Sequence, residues 1–108
     1  MQVIVAGPDD TAIADAISAE GHDVRTVAVG NGESLTEAGI ADADAYVLTE
    51  MAQATSIAVA KDNNPDVRVV VYAEGSLPEF ATRQADLVID PALLDPEAVA
   101  EELAGGPE

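Results

Sequence analysis

The residues with the clearest chemical potential follow the first apolar segment. Residues 3–17 read VIVAGPDDTAIADAI, which is a β-branched run, a glycine, a short loop and a helix-like pattern. A strand, a glycine-containing turn and a helix N-terminus in this order are typical of phosphate-binding turns. Asp9 and Asp10 stand where a phosphate would arrive, and with Thr11 they are also suited to cap the helix. The turn therefore predicts either a nucleotide site or a capped helix.

A second candidate site is acidic. Asp9, Asp10, Glu50 and Glu74 come directly after the first, third and fourth predicted strands. The carboxyl ends of parallel strands lie at one edge of a sheet, and carboxylate oxygens suit Mg²⁺. The four residues predict a weak magnesium site. The alternative is that any surface of so acidic a chain carries carboxylates.

Side chains for covalent or acid–base catalysis are scarce. The chain has no cysteine, which excludes disulfides and cysteine-based zinc sites, and a single histidine, His22, at a turn after Gly21. No serine–histidine–acid arrangement and no G-x-x-x-x-G-K-[ST] loop is visible. We expect no enzymatic activity.

The charge balance is extreme. Four Lys and Arg residues face 21 Asp and Glu residues, giving a net charge of −17, and the acids are spread along the whole chain. This composition is typical of proteins from a salt-saturated, halophilic cytoplasm, where ~1 M salt shortens the Debye length to ~3 Å. An acidic surface that binds or mimics a partner is the alternative. Nucleic-acid partners are not expected.

We expect one domain over residues 1–104 with a disordered tail over 105–108. No apolar run approaches the ~20 residues of a membrane helix, and the first ten residues, MQVIVAGPDD, lack the basic region of a signal peptide. These features predict a cytoplasmic protein without membrane insertion.

Strands and helices alternate along the chain. Strands are predicted over 2–6, 23–29, 44–49, 67–73 and 86–90, with the longest helix over 51–62 and the last beginning at Asp95-Pro96. Ser34 is expected to cap a short second helix. The alternation predicts an α/β fold of three layers around a five-stranded parallel sheet. We expect a Rossmann-like half with strand order 3-2-1-4-5 and a ligand crevice between the first and fourth strands.

The middle of the chain carries a more specific pattern. Residues 35–73, LTEAGIADADAYVLTEMAQATSIAVAKDNNPDVRVVVYA, and the later QADLVIDP resemble the TrkA-N domain, the nucleotide-binding half of the regulators of potassium conductance. The chain also resembles a small uncharacterised haloarchaeal family whose members sometimes carry the label CTP synthetase, an activity that no motif here supports. The TrkA-N resemblance implies a bound NAD(H) or ATP and a homodimer.

Carried over residue by residue, the resemblance leaves a degenerate nucleotide site. Counted from Gly7, the second glycine of G-x-G-x-x-G falls on Asp9 and the third on Ala12, and Asp9 puts a side chain where backbone must touch pyrophosphate. The candidate crevice comprises Gly7, Asp9, Asp10, Thr11, Asn31, Thr49 and Ala73. We expect the loop to bind NAD(H) poorly or not at all.

Three functions follow from these patterns. The leading one is a non-catalytic ligand-responsive or interaction module on a degenerate nucleotide-binding scaffold, and the second is a working NAD(H) or ATP sensor. The third is a pseudo-receiver used for docking. Receivers also carry paired acids after the first strand, but they need an Asp after the third strand as phosphoacceptor and a Lys after the fifth. Here those places hold Thr49 or Glu50, and Asp90-Pro91. Strand order 2-1-3-4-5 would favour the receiver.

Overall fold

The computed structural model describes residues 1–8 and 12–104, which form a single parallel sheet with helices on both faces. The strands are β1 (Gln2–Ala6), β2 (Asp23–Val27), β3 (Ala45–Leu48), β4 (Arg68–Tyr72) and β5 (Leu87–Ile89). Every neighbouring pair is parallel, and the order is β2-β1-β3-β4-β5. The predicted α/β class and the five-stranded parallel sheet are confirmed.

The predicted strand order 3-2-1-4-5 is wrong. β3 lies between β1 and β4, and β2 is an edge strand. The burial of the two strands gives the physical reason. All four residues of β3 (AYVL) are buried, as a central strand requires, whereas β2 (DVRTV) keeps Asp23, Arg25 and Thr26 exposed. The alternation of strands and helices is equally compatible with both strand orders. Only the difference in polarity between β2 and β3 distinguishes one order from the other.

The helices follow the strands in turn. They are α1 (Ile13–Ala19), α2 (Gly32–Ala38), α3 (Thr55–Asn63), α4 (Glu79–Thr82) and α5 (Pro96–Ala104), with short 3₁₀ turns at Ile40–Asp42 and Met51–Gln53. The helix predicted over 51–62 is therefore a 3₁₀ turn followed by α3. α1 and α5 pack on one face of the sheet, and α2, α3 and α4 lie on the other.

Two helix starts test the capping predictions. Asp95 caps α5 as predicted, because its Oδ1 accepts a hydrogen bond from Ala98 N at 2.9 Å. Ser34 does not cap α2. Its backbone N–H instead donates to Oδ1 of Asn31, the N-cap residue, at 2.8 Å. The N-cap position of α1 is Ala12, which has no side-chain acceptor, and Asp9, Asp10 and Thr11 lie outside the described residues.

Alternating residues of the central strands build a core on each face. One core joins Ile4, Tyr46, Leu48, Val69 and Val71 to Leu35 and Ile57. The other joins Val3, Val5, Val47, Val70 and Tyr72 to Ile13, Ile17, Val99 and Leu103. No helix within the described ranges is long and apolar enough to cross a membrane.

Ion pairs contribute little to this fold. Within residues 1–8 and 12–104, the only ion pair joins Lys61 Nζ to Asp86 Oδ2 at 3.2 Å, and the same ammonium donates to Val67 O at 2.9 Å. Most acids in these ranges therefore form no ion pair, and the net charge of −17 acts as self-repulsion.

We predict that the thermal midpoint rises by several degrees between about 0.1 M and about 2 M KCl, because salt screens this repulsion. Calorimetry or circular dichroism measures the midpoint. A variant with Glu33→Gln, Glu37→Gln and Asp62→Asn, three exposed acids, should show a smaller dependence on salt. A midpoint that stays constant or falls with KCl would contradict the prediction.

Candidate functional site

The carboxyl ends of β1 and β3 form the point where the strand order reverses, which is where open α/β sheets bind ligands. Gly7 follows β1 with a φ of +103°, a left-handed conformation that glycine adopts without strain. A Cβ atom on Gly7 would lie 2.5 Å from Thr49 Oγ1, at the end of β3. Glycine is required here for both the backbone conformation and the close approach.

The Thr49 side chain links the ends of β1 and β3 by hydrogen bonds. Its Oγ1 lies 3.1 Å from Ala6 O and also within hydrogen-bonding distance of Pro8 O, and its backbone N donates to Ala6 O at 3.0 Å. A hydroxyl has one proton, which these two carbonyl oxygens share. A carboxylate in its place would have no proton to donate and would face two carbonyl oxygens instead. Thr49 therefore has a structural role, linking β1 to β3, and does not supply an acidic group for a reaction.

Glu50 belongs to a second network, centred on the Gln53 amide. Gln53 Nε2 donates to Glu50 Oε1 at 2.7 Å and to Ala28 O at 3.0 Å, while its Oε1 accepts from Gly30 N at 2.8 Å. Both amide protons and the amide oxygen are thus used. The network ties the β3–α3 connection to the β2–α2 loop. Sequence reasoning missed Gln53, since an isolated Gln at a helix start carries no signal.

A buried hydroxyl pair lies directly under that loop. Tyr46 Oη donates to Ser56 Oγ at 2.7 Å, and both residues are buried. Burial raises the pKa of Tyr46, and the hydrogen bond between Tyr46 and Ser56 offsets part of that rise. Gly30 packs against this pair: a Cβ on Gly30 would collide with Tyr46 Oη and would lie 2.8 Å from Ser56 Cβ. The loop can pack this closely only with glycine at position 30.

The structure assembles only part of the predicted crevice. Gly7 and Thr49 are in contact, as described, and Asp9, Asp10 and Thr11 lie outside the described residues. Asn31 uses its side chain to cap α2. Ala73 is buried at the end of β4, and its N donates to Ile89 O. A crevice between the first and fourth strands does not form, because β3 separates β1 from β4.

The predicted magnesium residues follow β1, β3 and β4, which are consecutive in the sheet. Of the four, the described residues include Glu50, which accepts the Gln53 amide, and Glu74, which is exposed after β4. Across 1–8 and 12–104, no group of three or more His, Cys, Asp or Glu is arranged to hold a metal ion. The site depends on Asp9 and Asp10, outside those ranges, and stays a prediction.

Comparison of sequences yields one match. The sequence profile of DUF7126, a family of unknown function, matches residues 3–103. No curated protein matches the chain.

Several solved structures of similar fold are response regulators or their receiver domains. An orphan response regulator of H. pylori has a TM-score of 0.74 and 17% identity over 97% of this chain and 94% of that one. An atypical orphan response regulator has a TM-score of 0.73 and 17% identity over 97% and 93%. A CheY-like receiver domain protein from Methanospirillum hungatei JF-1 has a TM-score of 0.67 and 21% identity over 96% and 90%. At these identities the likeness shows the fold alone.

These findings overturn the resemblance to the TrkA-N domain. The strand order is 2-1-3-4-5, and the similar structures named above are receivers. An Ala-rich helix, an Asn-Pro turn and an Ala-Asp before a strand are local features that suit the turns of many α/β folds. They do not determine which strands become neighbours.

We predict that Gly30→Ala destabilises the fold by about 1–3 kcal/mol, because its methyl group would be forced against Tyr46 and Ser56. Gly32→Ala is the matched control, since the nearest atom, Val59 Cγ1, is 3.9 Å from its Cβ. Adding Tyr46→Phe to Gly30→Ala should recover part of the loss. Urea unfolding measures all three variants, and equal stability of the two alanine variants would contradict the packing described.

Proposed function

The chain belongs to the DUF7126 family, and we propose that it is a receiver-like docking module that works without phosphorylation. The observation that carries this proposal is the Thr49 hydroxyl, which shares its proton between two backbone carbonyl oxygens at the β1–β3 edge. A phosphoryl-accepting receiver needs an aspartate at this end of β3.

The neighbouring positions support the same conclusion. Glu50 is the acidic residue nearest to the end of β3, and its carboxylate accepts a hydrogen bond from Gln53. After β5, where a receiver needs a lysine, Asp90 Oδ1 accepts from Ala92 N at 2.9 Å and Pro91 follows. A phosphoryl group at this edge would therefore meet a carboxylate in place of an ammonium, which opposes its negative charge.

The description of one similar structure supports regulation without phosphorylation. The atypical orphan response regulator is described as having a phosphorylation-independent regulatory mechanism. A receiver fold can therefore regulate without a phosphoryl group. We extend this to the present chain because its own strand ends lack the required aspartate and lysine.

The proposal includes the absence of catalysis. Of the described side chains, His22 is the one histidine, and its Nδ1 lies 3.3 Å from the terminal amine of Met1 rather than from a serine.

We place the surface that docks a protein partner around β5. Phe80 on α4, Val88 on β5 and Leu93 and Leu94 after β5 are exposed by 56%, 47%, 79% and 42%. We call these four residues the β5 surface. α4 is a single turn, so it leaves Val88 uncovered on its face of the sheet. Contiguous patches of exposed apolar side chains are typical of interaction sites, and we propose that these four side chains together form such a patch.

The loop that carries two of these residues is held in place. Tyr72 Oη donates to Leu94 O at 2.6 Å, and Asp90 O accepts from Leu93 N at 2.8 Å. Burial, followed by the charges of Asp95 and Glu97, raises the pKa of Tyr72, so the hydroxyl keeps its proton. A loop fixed before binding loses less entropy on docking.

We predict that acetyl phosphate with Mg²⁺ in molar KCl leaves the intact mass of the protein unchanged, because Thr49 and Glu50 follow β3 where a receiver carries its phosphoryl-accepting aspartate. A phosphorylatable receiver domain treated in parallel is the positive control. Addition of one phosphoryl group, mapped by peptide mass spectrometry to Glu50 or Asp90, would contradict the proposal.

We predict that a photo-crosslinking amino acid at Leu93 captures a protein partner in cells of high internal salt. The same group at Asp62, an exposed polar position on α3, is the control and should capture none. Equal yields at both positions, or none at Leu93, would remove the β5 surface from the proposal.

A further inference from the structure

The opposite edge of the sheet is open. β2 pairs with β1 alone, in unbroken register from Asp23 to Val27. Asp23 N donates to Met1 O at 3.0 Å, and Val27 O accepts from Gly7 N at 2.9 Å. Because alternate residues of a parallel strand face the same neighbour, Asp23, Arg25 and Val27 turn their backbone groups toward β1. Val24 and Thr26 therefore present their N–H and C=O groups to the outer edge.

This edge has few of the features that block strand addition. Natural edges are often protected by charged side chains, lysine above all, by proline, by a bulge or by a covering segment. The sequence DVRTV has no proline or lysine, and its five-residue register with β1 contains no bulge. The edge is therefore available to another strand.

The charges of β2 are arranged so that the strand complements itself. Asp23 and Arg25 are two residues apart and lie on the same face, and both are exposed. Neither forms an ion pair within the described part of its own chain. In an antiparallel pair of β2 strands with Val24 opposite Val24, each Asp23 lies directly opposite Arg25 of the other copy. The two-fold symmetry produces this pair twice.

We propose that two copies of the chain pair through their β2 edges, antiparallel about a two-fold axis at Val24, to form a continuous ten-stranded sheet. The two Val24 residues exchange backbone hydrogen bonds, and the two Asp23–Arg25 pairs fix the register. Opposite charges directly across a strand pair are stabilising, and like charges are destabilising. Residues 21–32 hold one acid and one base, so the edge segment itself is neutral although the chain is not.

The net charge of −17 makes this pairing depend on salt. Two such chains repel each other at low ionic strength, and molar salt screens that repulsion. We expect a dimer in molar KCl that dissociates as KCl is lowered. The β5 surface is at the other edge of the sheet, so docking there and pairing through β2 are separate properties.

Analytical ultracentrifugation of the full chain across a KCl series tests the pairing, with circular dichroism to confirm that each sample is folded. Arg25→Asp puts carboxylates opposite each other at both pairs and should weaken dimerisation by about tenfold or more. Arg83→Asp makes the same charge change at an exposed residue of the α4 end and should leave the dimer intact. Combining Asp23→Arg with Arg25→Asp restores opposite charges and should restore the dimer.

Thr26→Pro tests the backbone contribution. It removes an N–H that faces the open edge and no hydrogen bond to β1, so the fold should persist while the dimer is lost. A wild-type chain that stays folded and monomeric at every salt concentration overturns the proposal. So does equal weakening by Arg25→Asp and Arg83→Asp, or a failure of the double variant to recover. None of these results alters the outcome of the acetyl phosphate experiment.

Discussion

The contact between Gly7 and the Thr49 hydroxyl is the constraint on which the carboxyl edge of the sheet depends. It joins β1 to β3 at the point where the strand order reverses, and it tolerates no side chain on Gly7. The hydroxyl donates to the backbone of the β1 loop, so it is committed to holding the loop. Thr49 therefore has a structural role at the position where a receiver carries its phosphoryl-accepting aspartate.

A second close contact fixes the neighbouring loop. Gly30 packs on the buried Tyr46–Ser56 pair, and Gln53 holds the same loop from the side through two backbone groups. Together with Thr49, these contacts occupy the polar groups near β3 with internal partners. A rigid edge of this kind suits a module that presents fixed surfaces to other proteins, rather than one that is rearranged by a phosphoryl group.

The strands and the start of α5 could be predicted from the sequence, because burial and capping are local properties. Asp95 and Pro96 start α5 as their chemistry requires, and the five strands fall within or at the predicted ranges. The strand order could not be read from alternation, and the polar β2 with the wholly apolar β3 was the signal that distinguished the two orders. Gly30 and Gln53 bond each other across 23 positions, and Gln53 bonds Ala28 across 25, so no local pattern contained these roles.

In the function that we propose, the β1–β3 edge does not hold a phosphoryl group. Beryllofluoride, which mimics such a group on a receiver aspartate, tests this most directly by ¹H–¹⁵N NMR in molar KCl. Spectra with Mg²⁺ alone separate any effect of the cation. We expect that adding beryllofluoride to the magnesium sample moves neither the Gly7 nor the Thr49 amide resonance. A saturable shift of both resonances that requires beryllofluoride would contradict it.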